Sequence, residues 1–367
     1  MNIGKLNWDT VERLWRTFIE AAPAGGDYWR SQEDLDVYDR TFGRRIAWKW
    51  DFVMAELKRL NWQPPAGVVL DWGCGSGVAG RSFMQGAAGD FELVFQDKSI
   101  LATQAALKFA RRDLPGLKVS AGTSLPDRLD VLLVSHVINE LSDEQLQDLL
   151  ALARKATAVI WLEPGTRQAG RALSAVRDSL RDQFATVAPC THQGTCPMLE
   201  AQNERHWCHH FAQPPAEIFG SAEWVKFGRQ VGIDLRSLPV SYLVMDKRMK
   251  MGAVAGSPAR EGGDVPQDNH AGETPAPQDG HAGETPASQD GCACRATRVI
   301  GRPRVYGAYA MILGCDISGL AERRLMKRHL PEQFKLLRKG RFDALQYWRC
   351  EGIDVIETTD GRSWLEC

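Results

Sequence analysis

The segment Asp71-Trp72-Gly73-Cys74-Gly75-Ser76-Gly77 carries the sharpest chemical signal in this 367-residue chain. It closes an apolar run, VVLDWG (68–73), and precedes residues of helical character. Glycines at such a junction let the backbone turn tightly and approach a ligand closely. The Asp71 carboxylate can accept hydrogen bonds from an ammonium or hydroxyl group. A second run, FELVFQD (91–97), ends on Asp97, about 20 residues past the glycines, where a carboxylate is placed to bind ribose hydroxyls. The bland alternative is a tight strand–helix turn with no ligand. The glycines alternate, unlike the GxGxxG of dinucleotide sites, so a nicotinamide cofactor fits less well.

A second constellation is Pro189-Cys190-Thr191-His192-Gln193-Gly194-Thr195-Cys196-Pro197, followed by His206-Trp207-Cys208-His209-His210-Phe211. Thiols spaced C-x5-C-x11-C among imidazoles suit a soft metal, either zinc or an iron–sulfur cluster. Ordinary buried thiols are the plain alternative. A closed site needs a fourth ligand. Candidates are His192, His206, His209, His210, Cys292, Cys294 and Cys315. Recruiting Cys315 would clamp the C-terminal part of the chain onto the rest.

A third group lies at Ser135-His136-Val137-Ile138-Asn139-Glu140-Leu141, after the run DVLLVS (130–135). Polar groups at the carboxyl ends of parallel strands face the ligand crevice, which makes His136, Asn139 and Glu140 candidates to touch cofactor or substrate. Glu140 could equally start the next helix. Glu163-Pro164-Gly165-Thr166 follows AVIWLEPG (158–165) in the same manner. No NPPY motif and no CxxxCxxC motif occurs, so the acceptor chemistry is not visible and a radical mechanism is disfavoured.

The elements that must position these groups follow from periodicity. Over residues 1–65, Leu35, Tyr38, Phe42, Ile46, Trp50, Val53, Leu57 and Leu60 recur every three or four positions and predict one apolar helix face. Seven of the 12 Trp fall in the first 72 residues, as in a packed helical cap. From Val68 the runs 68–73, 91–97, 130–135 and 158–165 alternate with helical stretches 99–112, 142–156 and 168–185. That alternation predicts a parallel sheet covered on both faces over 66–252, with SYLVMDKR (241–248) as a late edge strand. The cysteine-rich insertion spans 188–211.

Residues 253–294 differ. QDNHAGETPAP (267–277) repeats as QDGHAGETPAS (278–288), polar and acidic, which predicts a disordered spacer. Residues 295–367 regain folded composition and predict a small basic α+β module. TRVIGRPRVYGAYAMILGCDI reads as two strands around a turn, and AERRLMKRHLPEQFKLLRKGRFDALQYW as a basic amphipathic stretch. Residues 295–349 carry 13 Lys/Arg against four Asp/Glu, so the net charge of −1 hides a basic region. Arg302, Arg304, Arg323, Arg324, Lys327, Arg328, Lys335, Arg338, Lys339 and Arg341 could engage phosphates; a solvated charged face is the competitor. No stretch suggests a membrane span or secretory signal, so a cytoplasmic protein is expected; it is taken to be a monomer.

The D-x-G-x-G-x-G form resembles motif I of class I S-adenosylmethionine methyltransferases, which implies cofactor contacts at Asp71, Gly73, Gly75, Gly77 and Asp97. With HVINEL, WLEPGT, PCTHQGTCP, WCHHF and RVIGRPR…LGC, the chain resembles bacterial relatives of the mitochondrial small-ribosomal-subunit methyltransferase-like family, over most of its length outside 253–294. The resemblance implies a Rossmann-like class I methyltransferase sheet, a small-subunit ribosomal RNA partner, and a 4Fe-4S cluster on Cys190, Cys196, Cys208 and Cys315. Membership leaves open whether methyl transfer occurs or the protein acts as a non-catalytic assembly factor.

Overall fold

In the computed structural model, residues 3–4, 6–19, 29–122, 126, 128–250 and 295–359 are described. The repeat 253–294, with Cys292 and Cys294, lies outside them. Strands β1 (Gly67–Trp72), β2 (Phe91–Gln96), β3 (Lys118–Ala121), β4 (Val131–Ser135) and β5 (Ala158–Pro164) pair in parallel in the order β3-β2-β1-β4-β5. Beyond β5 lies β8 (Pro239–Asp246), antiparallel to it, and then β6 (Ala185–Ala188). The two-residue strand β7 (His210–Phe211) also pairs with β8. Successive residues point to opposite faces of a strand. Val69, Leu93, Val131, Leu133, Ile160 and Tyr242 enter one apolar layer, whereas Leu70, Val94, Leu132, Val134, Trp161 and Leu243 enter the other. Helices α3 (Arg44–Arg59), α4 (Val78–Gly86) and α5 (Ile100–Asp113) cover the first layer; α6 (Asp143–Ala153) and α7 (Arg167–Leu180) cover the second. The sheet is thus the α/β, mainly parallel arrangement covered on both faces that the sequence predicts, with β8 antiparallel to its neighbours.

Two expectations change here. Strand β3 was not expected; KVSA is short and only half-buried, so it lacks an apolar run. SYLVMDKR is not an edge. Strand β8 is flanked on both sides and buried along nearly its whole length, because β6 and β7 pair with its far side. Its unbroken apolar run was the available signal, since an edge strand usually alternates.

The N-terminal helices α1 (Trp8–Ile19) and α2 (Gln32–Tyr38) precede a π-helical turn, Asp39–Gly43, that leads into α3. A single apolar face was expected. The turn instead splits it: Leu35 and Phe42 pack with α1, α5 and helix α8 (Ala222–Gln230), while Ile46, Trp50, Val53 and Leu57 pack on the sheet. One extra residue per turn rotates the face, so one sequence stripe serves two cores.

The C-terminal strands β9 (Arg295–Val305), β10 (Tyr309–Asp316), β11 (Gly319–Met326), β12 (Leu345–Glu351) and β13 (Asp354–Thr359) close into a barrel. Helix α9 (Pro331–Arg338) lies between β11 and β12. The stretch expected to be amphipathic is therefore strand, helix, strand, and Arg323 and Arg324 sit on β11 rather than on a helix. Ala310, Ile312, Leu325, Trp348 and Val355 fill the interior with Phe334 and Leu337 from α9.

Arg298 of β9 seats this barrel. Its side chain is buried, its Nη1 donates to Glu56 Oε1 of α3 at 2.7 Å, and its Nε donates to the Pro189 carbonyl at 2.6 Å. Burial alone would raise the Glu56 carboxyl; Arg298 and Arg59 overcome that and hold it below its ordinary range. Breaking one half of a buried pair leaves the other charge uncompensated, which costs about 3–5 kcal/mol. Arg298→Met should lose stability of that order in chemical denaturation, and limited proteolysis should cut the barrel first. A loss within that of a surface substitution would remove this role from Arg298.

Candidate ligand crevice and cysteine centre

Strand order reverses at β1, which has β2 on one side and β4 on the other. Ligands of open α/β sheets bind outside the carboxyl ends of strands at such a switch point. Asp71 sits there, one residue from the end of β1 and 1 % exposed. Its Oδ2 accepts the Gly80 N–H at 2.8 Å, and its Oδ1 is buried with no hydrogen-bond partner. Burial pushes this carboxyl up to about 8, with Asp97 adding to the rise and the Gly80 N–H and Arg81 opposing it. Asp97 caps the turn: its Oδ2 accepts the Gly75 N–H and its Oδ1 the Ser99 N–H, both at 2.9 Å. Ile100, 73 % exposed, starts α5 just beyond it.

Two glycines of the turn have different jobs. Gly77 (φ +75°) caps α4, and an added Cβ would meet Phe95 and Ala106 at 2.8 and 2.9 Å. Gly75 (φ +52°) has nothing within 4 Å of that position. Gly77 therefore serves packing, while Gly75 leaves open space beside the backbone. Gly73 shares the left-handed conformation.

Past β4, His136 takes a left-handed backbone, φ +59°, rarely adopted by a residue with a side chain. Its Nε2 lies 3.0 Å from Lys49 Nζ of α3, and its Nδ1 lies 3.3 Å from Ser135 Oγ, which also accepts from Trp50 Nε1. Burial lowers His136, as does Lys49, so the imidazole stays neutral; burial draws Lys49 down to about 7. Glu163, fully buried at the end of β5, braces this loop. Its Oε1 accepts Trp161 Nε1 at 2.7 Å and the Val137 and Ile138 N–H groups at 3.2 and 3.1 Å. Burial pushes Glu163 up to about 7 against those donors. Asn139 and Glu140 are exposed in a short 3-10 turn, and Ser142 rather than Glu140 caps the following helix. Lys49 was missed from the sequence; the signal was a lysine between two buried tryptophans, Trp48-Lys49-Trp50.

Cys196, Cys208 and Cys315 pack together with Met198, Ile300, Leu313 and Leu320. Cys190 lies within electrostatic reach of all three. Burial raises the thiols of Cys196, Cys208 and Cys315, each also pushed up by Cys190. Among the imidazoles, His192 Nε2 lies 4.0 Å from Cys315 Sγ and His210 Nε2 lies 3.8 Å from Cys208 Sγ. Among the described residues, no three His, Cys, Asp or Glu side chains are arranged to hold a single metal ion. Asp178 on α7 accepts the Cys196 N–H and pairs with Arg177, whose Nη2 donates to the His192 carbonyl.

The basic residues divide. Arg304 pairs with Glu322, Arg324 pairs through two bonds with Asp354, and Arg323 donates to the Gly352 carbonyl. Arg302 lies over the Phe211 ring, 4.2 Å from its centre. Arg328 donates to His329, and Lys335 pairs with Glu332.

The glycines give a separable expectation. Gly77→Ala should unfold at lower denaturant by about 2–4 kcal/mol, since overpacking adds to backbone strain. Gly75→Ala should lose only about 1–2 kcal/mol yet abolish ligand binding in a calorimetric titration. Equal stability losses would refute the division.

No curated protein matches the chain. Solved structures overlap it loosely. Magnesium protoporphyrin IX methyltransferase from Synechocystis, with bound SAM, is 16 % identical over 67 % of this chain and 100 % of that one, with a TM-score of 0.36. A SAM-dependent methyltransferase from Aquifex aeolicus is 14 % identical over 43 % and 90 %, at 0.32. The 16S rRNA methylase RmtB is 16 % identical over 50 % and 70 %, at 0.31. The profile of the family described as mitochondrial small ribosomal subunit Rsm22 matches residues 96–345, well over half of the sequence, and the chain therefore belongs to that family.

Proposed function

We propose that this protein binds S-adenosylmethionine at the β1 switch point and acts as a methyltransferase-like factor on the RNA of the small ribosomal subunit, as a cytoplasmic monomer. The observation that carries the reading is Asp71 Oδ1, a buried carboxylate oxygen left without a partner beside a glycine turn with open space at Gly75. Such an oxygen wants a cationic or hydroxyl donor. Asp71 would hold the ammonium end of the ligand, Asp97 its ribose hydroxyls, and Gly73 and Gly75 would let it approach the backbone of the turn that Gly77 holds in place by packing. S-adenosylmethionine supplies a methyl group on a sulfonium, ready for a nucleophilic RNA atom. Arg302, Arg304, Arg323, Arg324, Lys327 and Arg328 are the proposed phosphate contacts. Among the described residues, no helix is long and apolar enough to cross a membrane.

Cys190, Cys196, Cys208 and Cys315 fit a 4Fe-4S cluster by donor chemistry: four thiols from three segments of the chain, three of them in one apolar pocket. The cluster would hold the barrel to the main sheet. Zinc is the competing occupant. Protein purified without oxygen should be brown, with about four irons per chain; one zinc and no visible absorbance would overturn the assignment.

A second reading, an assembly factor without turnover, draws support from His136, whose Nε2 is engaged by Lys49 Nζ at 3.0 Å. Small-subunit particles incubated with the protein and labelled cofactor decide between the two. Incorporation at one nucleotide supports transfer; particle binding without label supports the factor.

Cofactor binding should depend on pH through Asp71. A cation selects the ionised carboxylate, and that ionisation costs more the further the pH lies below about 8. Affinity should therefore fall by up to about tenfold per pH unit below that value, with proton release in calorimetry. Asp71→Asn should bind weakly with a flat profile. Absence of saturable binding by the wild type would remove the cofactor reading.

A further inference from the structure

The barrel has a recognisable connectivity. In chain order its strands are β9, β10, β11, then α9, then β12 and β13. Its closure runs β10-β11-β13-β12-β9, with β11 and β13 parallel and every other pair antiparallel. That is the five-stranded OB barrel, whose second and third strands and whose first–second and fourth–fifth loops take up single-stranded nucleic acid. Here those are β10, β11, and the loops 306–308 and 352–353.

Half of that face is already used. The interior takes Ala310 and Ile312, so Tyr309, Met311, Leu313 and Cys315 point outward. Leu313, Cys315 and Leu320 are covered by Cys196 and Met198. The other half is open. Tyr306, 47 % exposed, stacks on Tyr309 with ring centres 4.7 Å apart and planes 25° apart. Across the strands, Arg304, Met311 and Arg324 stand in one row. Val305 and Ile353 are exposed at the two loops.

We propose that this open half, centred on the Tyr306–Tyr309 stack, is a platform on which unpaired bases of single-stranded RNA stack. The proposal rests on the RNA reading above and adds the form of RNA and its point of contact. Every base offers a flat π face, whereas an A-form duplex hides its own. Charge supports the same occupant but plays a smaller part. Glu322 and Asp354 already hold Arg304 and Arg324, so stacking outweighs phosphate contact and the salt dependence is shallow.

The platform continues toward the crevice. His206 lies within electrostatic reach of Glu322 and Arg304. Beside it, Trp207 and His209 stack at 4.6 Å and 16°, and His209 meets the edge of Phe211 at 5.6 Å. The Trp207 Nε1 donates to the Gly165 carbonyl at 3.0 Å, just past the carboxyl end of β5.

The test uses the full-length protein and a short fluorescein-labelled oligoadenylate, with a blunt RNA duplex as comparison, read by anisotropy at low and moderate salt. The wild type should bind the single strand in preference to the duplex. Tyr306→Leu should weaken binding by about 5- to 150-fold, the range that one lost base stack implies, and Tyr306→Phe should bind nearly as the wild type does. S-adenosylmethionine binding, measured on the same preparations, should be the same in all three. Unchanged oligoadenylate binding by Tyr306→Leu, preference for the duplex, or no binding by the wild type would overturn the platform. If the cofactor fails to bind but Tyr306→Leu still loses the oligonucleotide, the cofactor reading falls and the platform stands.

Discussion

A single buried guanidinium decides how the two halves of this molecule meet. Arg298 reaches from the barrel to Glu56 on α3 and to the carbonyl of Pro189, the residue before Cys190. Taking a charge out of water is costly, and only a well-placed carboxylate with further hydrogen bonds offsets it. The pair is therefore poor as a source of net stability and strong as a device for geometry, because few other dockings of the barrel would satisfy both charges. Arg298 is also the direct cross-strand partner of Cys315. Seating the guanidinium brings Cys315 to the pocket of Cys196 and Cys208.

The crevice shows the opposite economy. Asp71, His136 and Glu163 at the strand ends, and Lys49 of α3 in contact with His136, are all held in environments that disfavour their charged forms. His136 adds backbone strain. A fold selected for stability alone would replace such groups with apolar ones, so their concentration at the switch point supports the ligand site proposed there. Glu163 illustrates how the cost is contained: three donors converge on Oε1, and they fix the loop that carries His136.

How far the sequence could be read depended on the range of the interaction. The glycine turn, the runs that became β1, β2, β4 and β5, and the helices between them are local patterns, legible because a strand buried on both faces is a continuous apolar run. Asp71 and Asp97 could be picked out because their positions follow from strand and turn alone. Lys49 was marked only by its place between Trp48 and Trp50; its role stayed hidden, since that depends on a histidine 87 residues away. The apolar stripe from Leu35 to Leu60 was visible, yet its division by a π-helical turn was not, because the turn answers to two cores that exist only after folding.

By itself, the sequence determined the βα alternation, the nucleotide-type turn and the clustering of thiols, all written in short-range spacing. Only the tertiary structure decided that β8 lies inside the sheet, that the basic tail closes into a barrel, and that half of that barrel's face is spent on the cysteine pocket while the tyrosine pair stays open. Those outcomes depend on which strand edges meet, and pairing between distant segments is set by the sum of packing across the whole molecule rather than by any window of residues.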